Sequence, residues 1–303
     1  MSLTASANNQ LDSLLEFICI ELQLTDTQFK LAEDRYKAIG NCLSKPGNLL
    51  SVYSPEIYPQ GSLKIGTPVK PVGRDEYDLD IVCEFTKLDP LTNRIEAKSL
   101  LHAVWDILYS NEIYRDIIEL KRRCVRINYK GDFHLDVLPA CPNIIEGGTN
   151  IVIPDKSENG GHGAWKNSNP KGYAKWFETR ATVSEVILKA AEPLPFPVAV
   201  NRKPPLKLAV QLLKRWRDVF FNKYPSQIAP DSIVLTTLAA KAYKGEPHVT
   251  DAFSEIITQI CEWIDNSPIP LYVTNPANDS ELLSDKWIIN PADIYLQACA
   301  FVV

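Results

Sequence analysis

The stretch Tyr77–Phe85 constrains this chain more than any other. It reads YDLDIVCEF, with apolar residues on every second position. A period of two is the mark of a β-strand, where alternate side chains leave opposite faces of the sheet. Leu79, Ile81, Cys83 and Phe85 therefore share one face, and Asp78, Asp80, Val82 and Glu84 share the other. A second amphipathic strand is predicted at 133–138, with Phe133, Leu135 and Val137 toward a core and His134 and Asp136 away from it. It follows a strand at 124–129 across Lys130-Gly131-Asp132, which reads as a β-hairpin with Gly-Asp in its turn. Asp78, Asp80 and Asp136 are thereby candidates to converge on one face of one sheet.

Gathering three like charges is costly unless cations compensate. Hard carboxylate oxygens suit Mg²⁺ that also holds phosphate oxygens. Two such ions ~4 Å apart activate an attacking hydroxyl and stabilise a leaving pyrophosphate. An Asp-x-Asp pair alone is more often a solvent-facing feature of a half-exposed strand. Upstream lies Gln60-Gly61-Ser62-Leu63-Lys64-Ile65-Gly66-Thr67. A Gly-Ser step opening a short helix offers backbone N–H groups and a hydroxyl, which suits a triphosphate. No Gly-Lys-Ser/Thr follows, so this is not a Walker A loop, and taken alone it is a turn.

Around these motifs the chain divides into a mixed first half and a helical second half. Leu11, Leu14, Leu15, Ile18 and Leu22 recur at helical spacing, and a second helix over 25–43 opens with Thr25 and Gln28 in capping-box register. Lys45-Pro46-Gly47 stops it, 49–58 is extended, and a helix follows over 95–109. Residues 139–200 are rich in Pro, Gly and Asn, with an irregular section over 160–172 that reads as a mobile lid or as loop padding. Trp165, Tyr173, Trp176 and Phe177 there are either base-stacking or core aromatics. Helices are predicted at 206–221 after Pro204-Pro205, from Pro230-Asp231-Ser232 to 243, and at 251–266. The expected organisation is a lobe of residues 1–200 and a helical lobe of 201–303, ending in an apolar run that reads as a buried element or an interrupted chain.

Composition removes other classes. Lys+Arg 32 against Asp+Glu 37 leaves a net charge of −5, which argues against a protein held on duplex DNA by a basic surface. No run approaches the ~18 apolar residues of a membrane span, and the polar first ten residues lack a signal peptide's pattern. Seven cysteines with no Cys-x-x-Cys pair read as reduced thiols in a cytoplasmic protein, and the four histidines lack zinc spacing. Cations concentrate in two places. Residues 202–223 hold seven against one acid, with Lys207, Gln211, Lys214 and Asp218 on one helix face, and 115–130 hold six against two acids. The first reads as a solvated face or as the partner of one nucleoside triphosphate, and the second as a strand's exposed edge or rim.

Taken in order, Q-G-S, x-G-T, E-Y-D-L-D-I-V and H-L-D-V-L-P resemble the DNA polymerase β-like nucleotidyltransferase superfamily. Within it the chain is similar to the bacterial cGAS/DncV-like nucleotidyltransferases (CD-NTases), relatives of cyclic GMP–AMP synthase and oligoadenylate synthetase that make cyclic oligonucleotide signals in anti-phage defence. The resemblance runs over about residues 50–245, including LKLAVQLLKRW at 206–216 and the Pro230-Asp231-Ser232 helix start. It implies an α+β fold: a polymerase β-like lobe with a mixed or antiparallel sheet, a C-terminal helical lobe, and the active site in the cleft. It implies two Mg²⁺ ions, with Mn²⁺ as a substitute, bound by Asp78 and Asp80, while Asp136 binds the catalytic ion and helps deprotonate the acceptor hydroxyl. It further implies that Gly61 and Ser62 hold the donor phosphates, together with Gln60, the phosphate-binding Lys214 and the helix-start Ser232. The implied activity is template-independent conversion of ATP and/or GTP to a cyclic di- or trinucleotide that a downstream effector reads, with a regulatory protein as a further partner. Two alternatives stand beside it: a linear product or another acceptor on the same fold, and a non-catalytic nucleotide-binding scaffold.

Overall fold

The computed structural model describes residues 2–73, 77–131, 133–156, 161–182, 203–224, 229–266 and 271–286, and for 2–8 the backbone alone. The chain forms two compact units, one of residues 25–64 and 74–174, the other of 1–24, 65–73 and 175–303.

The first unit is built on a seven-stranded sheet. Its strands are β1 (Pro55–Pro59), β2 (Tyr77–Phe85), β3 (Ile118–Leu120), β4 (Val125–Tyr129), β5 (Phe133–Pro142), β6 (Ile151–Asp155) and β7 (Ala164–Ser168). The order is β1-β2-β5-β4-β3, with β6 added to β5 and β7 to β6. Only β2 and β5 run parallel; every other pairing in this sheet is antiparallel. The alternation expected for β2 holds. Leu79, Ile81, Cys83 and Phe85 are all buried, and helices α2 (Asp26–Leu43) and α4 (Ala97–Tyr109) lie against this sheet. The Thr25–Gln28 capping box forms as read, with reciprocal bonds satisfying two orphan donors of α2.

The opposite face changes character along its length. Beyond Asp80, Val82 joins Leu138, Ala140, Ile151 and Ile153 in an apolar cluster flanked by Tyr58 and Cys124. Glu84, buried still further along, is bonded by the Tyr58 hydroxyl at 2.9 Å and the Lys171 ammonium at 3.1 Å. This is why the burial of β2 stops alternating: β5 outruns its pairing with β2 and carries β6, which covers the far half. The near half, with the aspartates, is left accessible.

Within 139–200 the described residues form more regular structure than their composition suggests. They contribute β6, β7 and helix α5 (Pro170–Ala181), while 157–160 and 183–202 lie outside the described residues. Asn169 caps α5, its Oδ1 accepting from the Gly172 N–H at 2.8 Å, with Pro170 at the first helical position where a missing N–H costs nothing. Tyr173 and Phe177 are core residues, 6% and 0% exposed, so the base-stacking alternative fails for these two. The other asparagines serve turns and cross-links, as in the Asn143–Asn167 and Asn169–Asn150 amide pairs at 3.1 and 2.8 Å.

The second unit is helical: α1 (Ser2–Leu22), α6 (Pro205–Lys223), α7 (Ser232–Ala242) and α8 (Val249–Asn266), with a small hairpin of β8 (Thr274–Asn275) and β9 (Asn278–Leu282). Cys19, Leu208, Leu212 and Val249 form a shared core with Leu15, Ile18 and Phe253. Helix α1 therefore packs on α6 and α8, not with the first-half elements that it precedes in sequence. Its apolar positions at helical spacing announced a buried stripe, and nothing in them specified the partner. The apolar run at 298–303 lies outside the described residues. Among the described residues no helix is long and apolar enough to cross a membrane.

Candidate active site

The parallel pairing of β2 with β5 sets Asp80 opposite Asp136 and Asp78 opposite His134, on strands ~4.8 Å apart. Three aspartates thus stand on one face, as the alternation required. The Asp78 side chain is 59% exposed and that of Asp136 15%. A fourth residue joins them. The three-residue turn pairs Tyr129 with Phe133, which sets Arg126 opposite Asp136. The Arg126 guanidinium grips Asp136 with two bonds of 2.7 Å, Nε to Oδ1 and Nη2 to Oδ2, and lies 3.4 Å from Asp78 Oδ1. The hydrogen bond and charge of Asp136 push its pKa up further, with Asp78 adding to the effect. Beside it, burial together with the Asp136 and Asp80 carboxylates pushes the Cys124 thiol up, keeping it protonated.

In sequence Arg126 belongs to the basic cluster that reads as a strand's exposed edge or a rim. Four cations of that cluster serve carboxylates: besides Arg126, Arg122 and Arg123 hold the buried Asp155 at 2.6 and 2.9 Å and Lys121 pairs with Glu119 at 2.7 Å. The signal for Arg126 was present in the hairpin. Counting back from a three-residue turn gives the Arg126–Asp136 pair directly.

The Gly-Ser turn reaches one of these aspartates, Asp80. The Gln60 N–H donates to the Asp80 carbonyl at 2.9 Å, which delivers the chain from β1 into the short helix α3 (Gly61–Ile65). Gly61 has φ +59°, and a Cβ built on it would sit 2.7 Å from Asp80 Oδ2. Only glycine allows the backbone this close to the carboxylate. Gln60, Gly61, Ser62, Asp78, Asp80 and Asp136 all belong to this part of the sheet unit.

The donor set fits a hard divalent cation. Among the described residues no three acidic, histidine or cysteine groups form a ready-made cage. Mg²⁺ usually accepts one or two carboxylates and takes its other ligands from substrate phosphates and water. A pair of carboxylates beside a glycine turn that admits phosphate is suited to that division.

Lys214 and Ser232 belong to the helical unit. The face of α6 read as polar is buried there: Gln211 is 0% and Lys214 5% exposed. It serves the strap of residues 65–73, whose carbonyls lack strand partners. Lys203 donates to the Gly66 carbonyl at 3.2 Å, Lys214 to the Thr67 carbonyl and hydroxyl at 3.1 Å each, and Gln211 to the Pro68 carbonyl at 2.7 Å. Arg215 donates to the Lys70 carbonyl. Much of the basic character of 202–223 is thereby explained by backbone accounting. Ser232 opens α7 as expected, and its hydroxyl accepts from Arg217.

Burial, with the Lys207 charge nearby, lowers the Lys203 pKa to about 8. A lysine depressed when folded and near 10.4 when unfolded binds fewer protons folded, so its contribution to stability increases as pH rises through that interval. Lys203→Met removes this slope. Wild type should therefore gain stability relative to the variant between pH 8 and pH 10, measured by chemical denaturation; a constant difference would contradict the assignment.

A sequence profile of the Second Messenger Oligonucleotide or Dinucleotide Synthetase domain matches residues 7–181. The chain belongs to this family, the bacterial cGAS/DncV-like nucleotidyltransferases. It is 38% identical over its whole length to a c-di-GMP synthase of Roseivirga ehrenbergii, spanning 79% of that protein. It is 26% identical to the cyclic dinucleotide synthase CdnG of Bradyrhizobium diazoefficiens, over 91% of this chain and 70% of that one. The structure of Bradyrhizobium CdnG in complex with GTP matches with a TM-score of 0.75 at 23% identity, covering 96% of this chain and 87% of that one. Vibrio cholerae DncV cyclic AMP-GMP synthase with nonhydrolyzable GTP matches at 0.62 and 15% identity, over 93% and 84%. These structures share the fold expected from the motifs.

Proposed function

We propose that this chain condenses GTP into a cyclic dinucleotide. The observation that carries the reading is the gathering of Asp78, Asp80 and Asp136 on one sheet face with the Gly61 turn against Asp80, within a chain 38% identical throughout to a c-di-GMP synthase. In each of two rounds an acceptor ribose hydroxyl attacks the α-phosphorus of a donor. One P–O bond forms, the bond to the β-phosphate breaks, and pyrophosphate leaves with the donor's charge. Two rounds close the ring and release two pyrophosphates.

Asp78, Asp80 and Asp136 would hold Mg²⁺, or Mn²⁺ in its place, which lowers the pKa of the attacking hydroxyl and neutralises the leaving group. Gly61 and Ser62 offer backbone N–H groups and a hydroxyl to the donor phosphates. Gln60 fixes the turn against Asp80 through its backbone, and Asp136 accepts the acceptor's proton. Lys214 contributes by holding Thr67 at the end of the Gly-Ser motif. The product serves as a cytoplasmic second messenger for an effector in anti-phage defence, with a regulatory protein as a further partner.

The test is incubation with Mg²⁺ and each nucleoside triphosphate, singly and in pairs, followed by phosphatase and mass spectrometry. GTP alone should yield a phosphatase-resistant dinucleotide without any template. A ladder of phosphatase-sensitive oligomers would establish linear synthesis instead. A resistant product formed only with ATP present would overturn the choice of base.

A further inference from the structure

We propose that Arg126 is a positioning residue that stands in for a cation among the catalytic carboxylates and is displaced when the divalent ion binds. The proposal rests on the metal-site reading above and concerns how that site is kept ready. Two aspartates face each other across neighbouring strands and a third lies two residues away, so their charges repel across a few ångströms. Arg126 sets a positive charge against two of them, Asp136 and Asp78. Its two 2.7 Å bonds occupy both oxygens of Asp136, and its Nη2 also faces Asp78. A planar guanidinium fixes the plane of a carboxylate as no point charge can. Asp136 is thereby held in one orientation.

The same contacts obstruct a metal. A divalent ion shared by Asp136 and the β2 aspartates needs at least one of the oxygens that Arg126 holds. The guanidinium can leave: its side chain is 23% exposed and extends from β4 beside the outermost strand, β3, where Glu119 stands opposite it, and among the described residues its hydrogen bonds go to Asp136 and Asp78 alone. Metal binding is then an exchange of cations, and its affinity is lowered by the cost of breaking a bidentate, charge-assisted pair. Held this way, the carboxylates stay assembled but bind the ion only when nucleotide phosphates add their own oxygens.

The test is Mn²⁺ binding by electron paramagnetic resonance, on wild type, Arg126→Gln and Arg126→Lys, each with and without a non-hydrolysable GTP analogue, alongside melting temperatures. Arg126→Gln should bind Mn²⁺ about tenfold more tightly than wild type. Its melting temperature without added Mn²⁺ should fall, and Mn²⁺ should raise it more than it raises that of wild type. Arg126→Lys, which keeps the charge and loses the fork, should bind about threefold more tightly and serves alone should the glutamine variant not fold. A purely structural arginine would lower the melting temperature without tightening Mn²⁺ binding. Unchanged or weaker binding in both variants overturns the proposal and leaves the metal site standing. Failure of every protein to bind Mn²⁺, even with the analogue, overturns the metal site and the proposal together.

Discussion

Asp78→Asn combined with Asp80→Asn is expected to cut cyclic dinucleotide formation by on the order of 10³-fold or more, while the protein stays folded. Both side chains leave the same face of β2, and asparagine keeps their shape while removing two negative charges. On the proposed function, a hard cation and its bound triphosphate would then lose the oxygens that hold them. Stability should change little. Asp78 is 59% exposed and its contact with Arg126 is long, at 3.4 Å, so little is lost there, and the repulsion with Asp136 is relieved. Product measured by chromatography, with a melting curve on the same sample, checks both halves. Wild-type turnover in the double variant would remove the carboxylates from the mechanism.

Gly61→Ala is expected to lower activity by about 100-fold, with a stability loss of about 1–2 kcal/mol from the left-handed backbone alone. Its φ is +59°, and the added methyl would stand 2.7 Å from Asp80 Oδ2. Either the turn or the carboxylate must move, and each is needed where it is. Gly131→Ala is the control. It has φ +83° in the β4–β5 turn, but a Cβ there meets nothing within 4 Å. It carries the same backbone strain without touching the site, so it should destabilise the protein and leave turnover near wild type. Equal losses of activity in the two variants would show that strain, and not the approach to Asp80, is what Gly61 relieves.

The parts of this protein legible in its sequence are those whose physics is local. Alternation separated the two faces of β2 and β5 and put the aspartates on the face away from the helices. Lys130-Gly131-Asp132 marked the hairpin, and Thr25 with Gln28 marked the start of α2. Two further signals are equally local. Asn169-Pro170 is a cap followed by proline at the first helical position, which announces α5 despite the asparagine- and glycine-rich surroundings. The hairpin count likewise announces Arg126 opposite Asp136.

Other features depend on partners that no short window contains. The pairing of β2 with β5 crosses some fifty residues of chain, and its register alone sets Asp80 beside Asp136. Helix α1 has an apolar stripe that any apolar surface would satisfy, and only packing assigned it to α6 and α8. The polar face of α6 carries the clearest lesson. Gln211, Lys214 and Arg215, with Lys203 just ahead of the helix, look solvated or phosphate-bound when read as a polar run, yet they serve the carbonyls of a strap more than a hundred residues earlier. A strand's side-chain period is written in consecutive residues, so sequence alone determined which groups share a face. A backbone carbonyl without a ladder partner must be satisfied by whatever donor the fold brings to it, and that donor is chosen only when the chain has closed on itself.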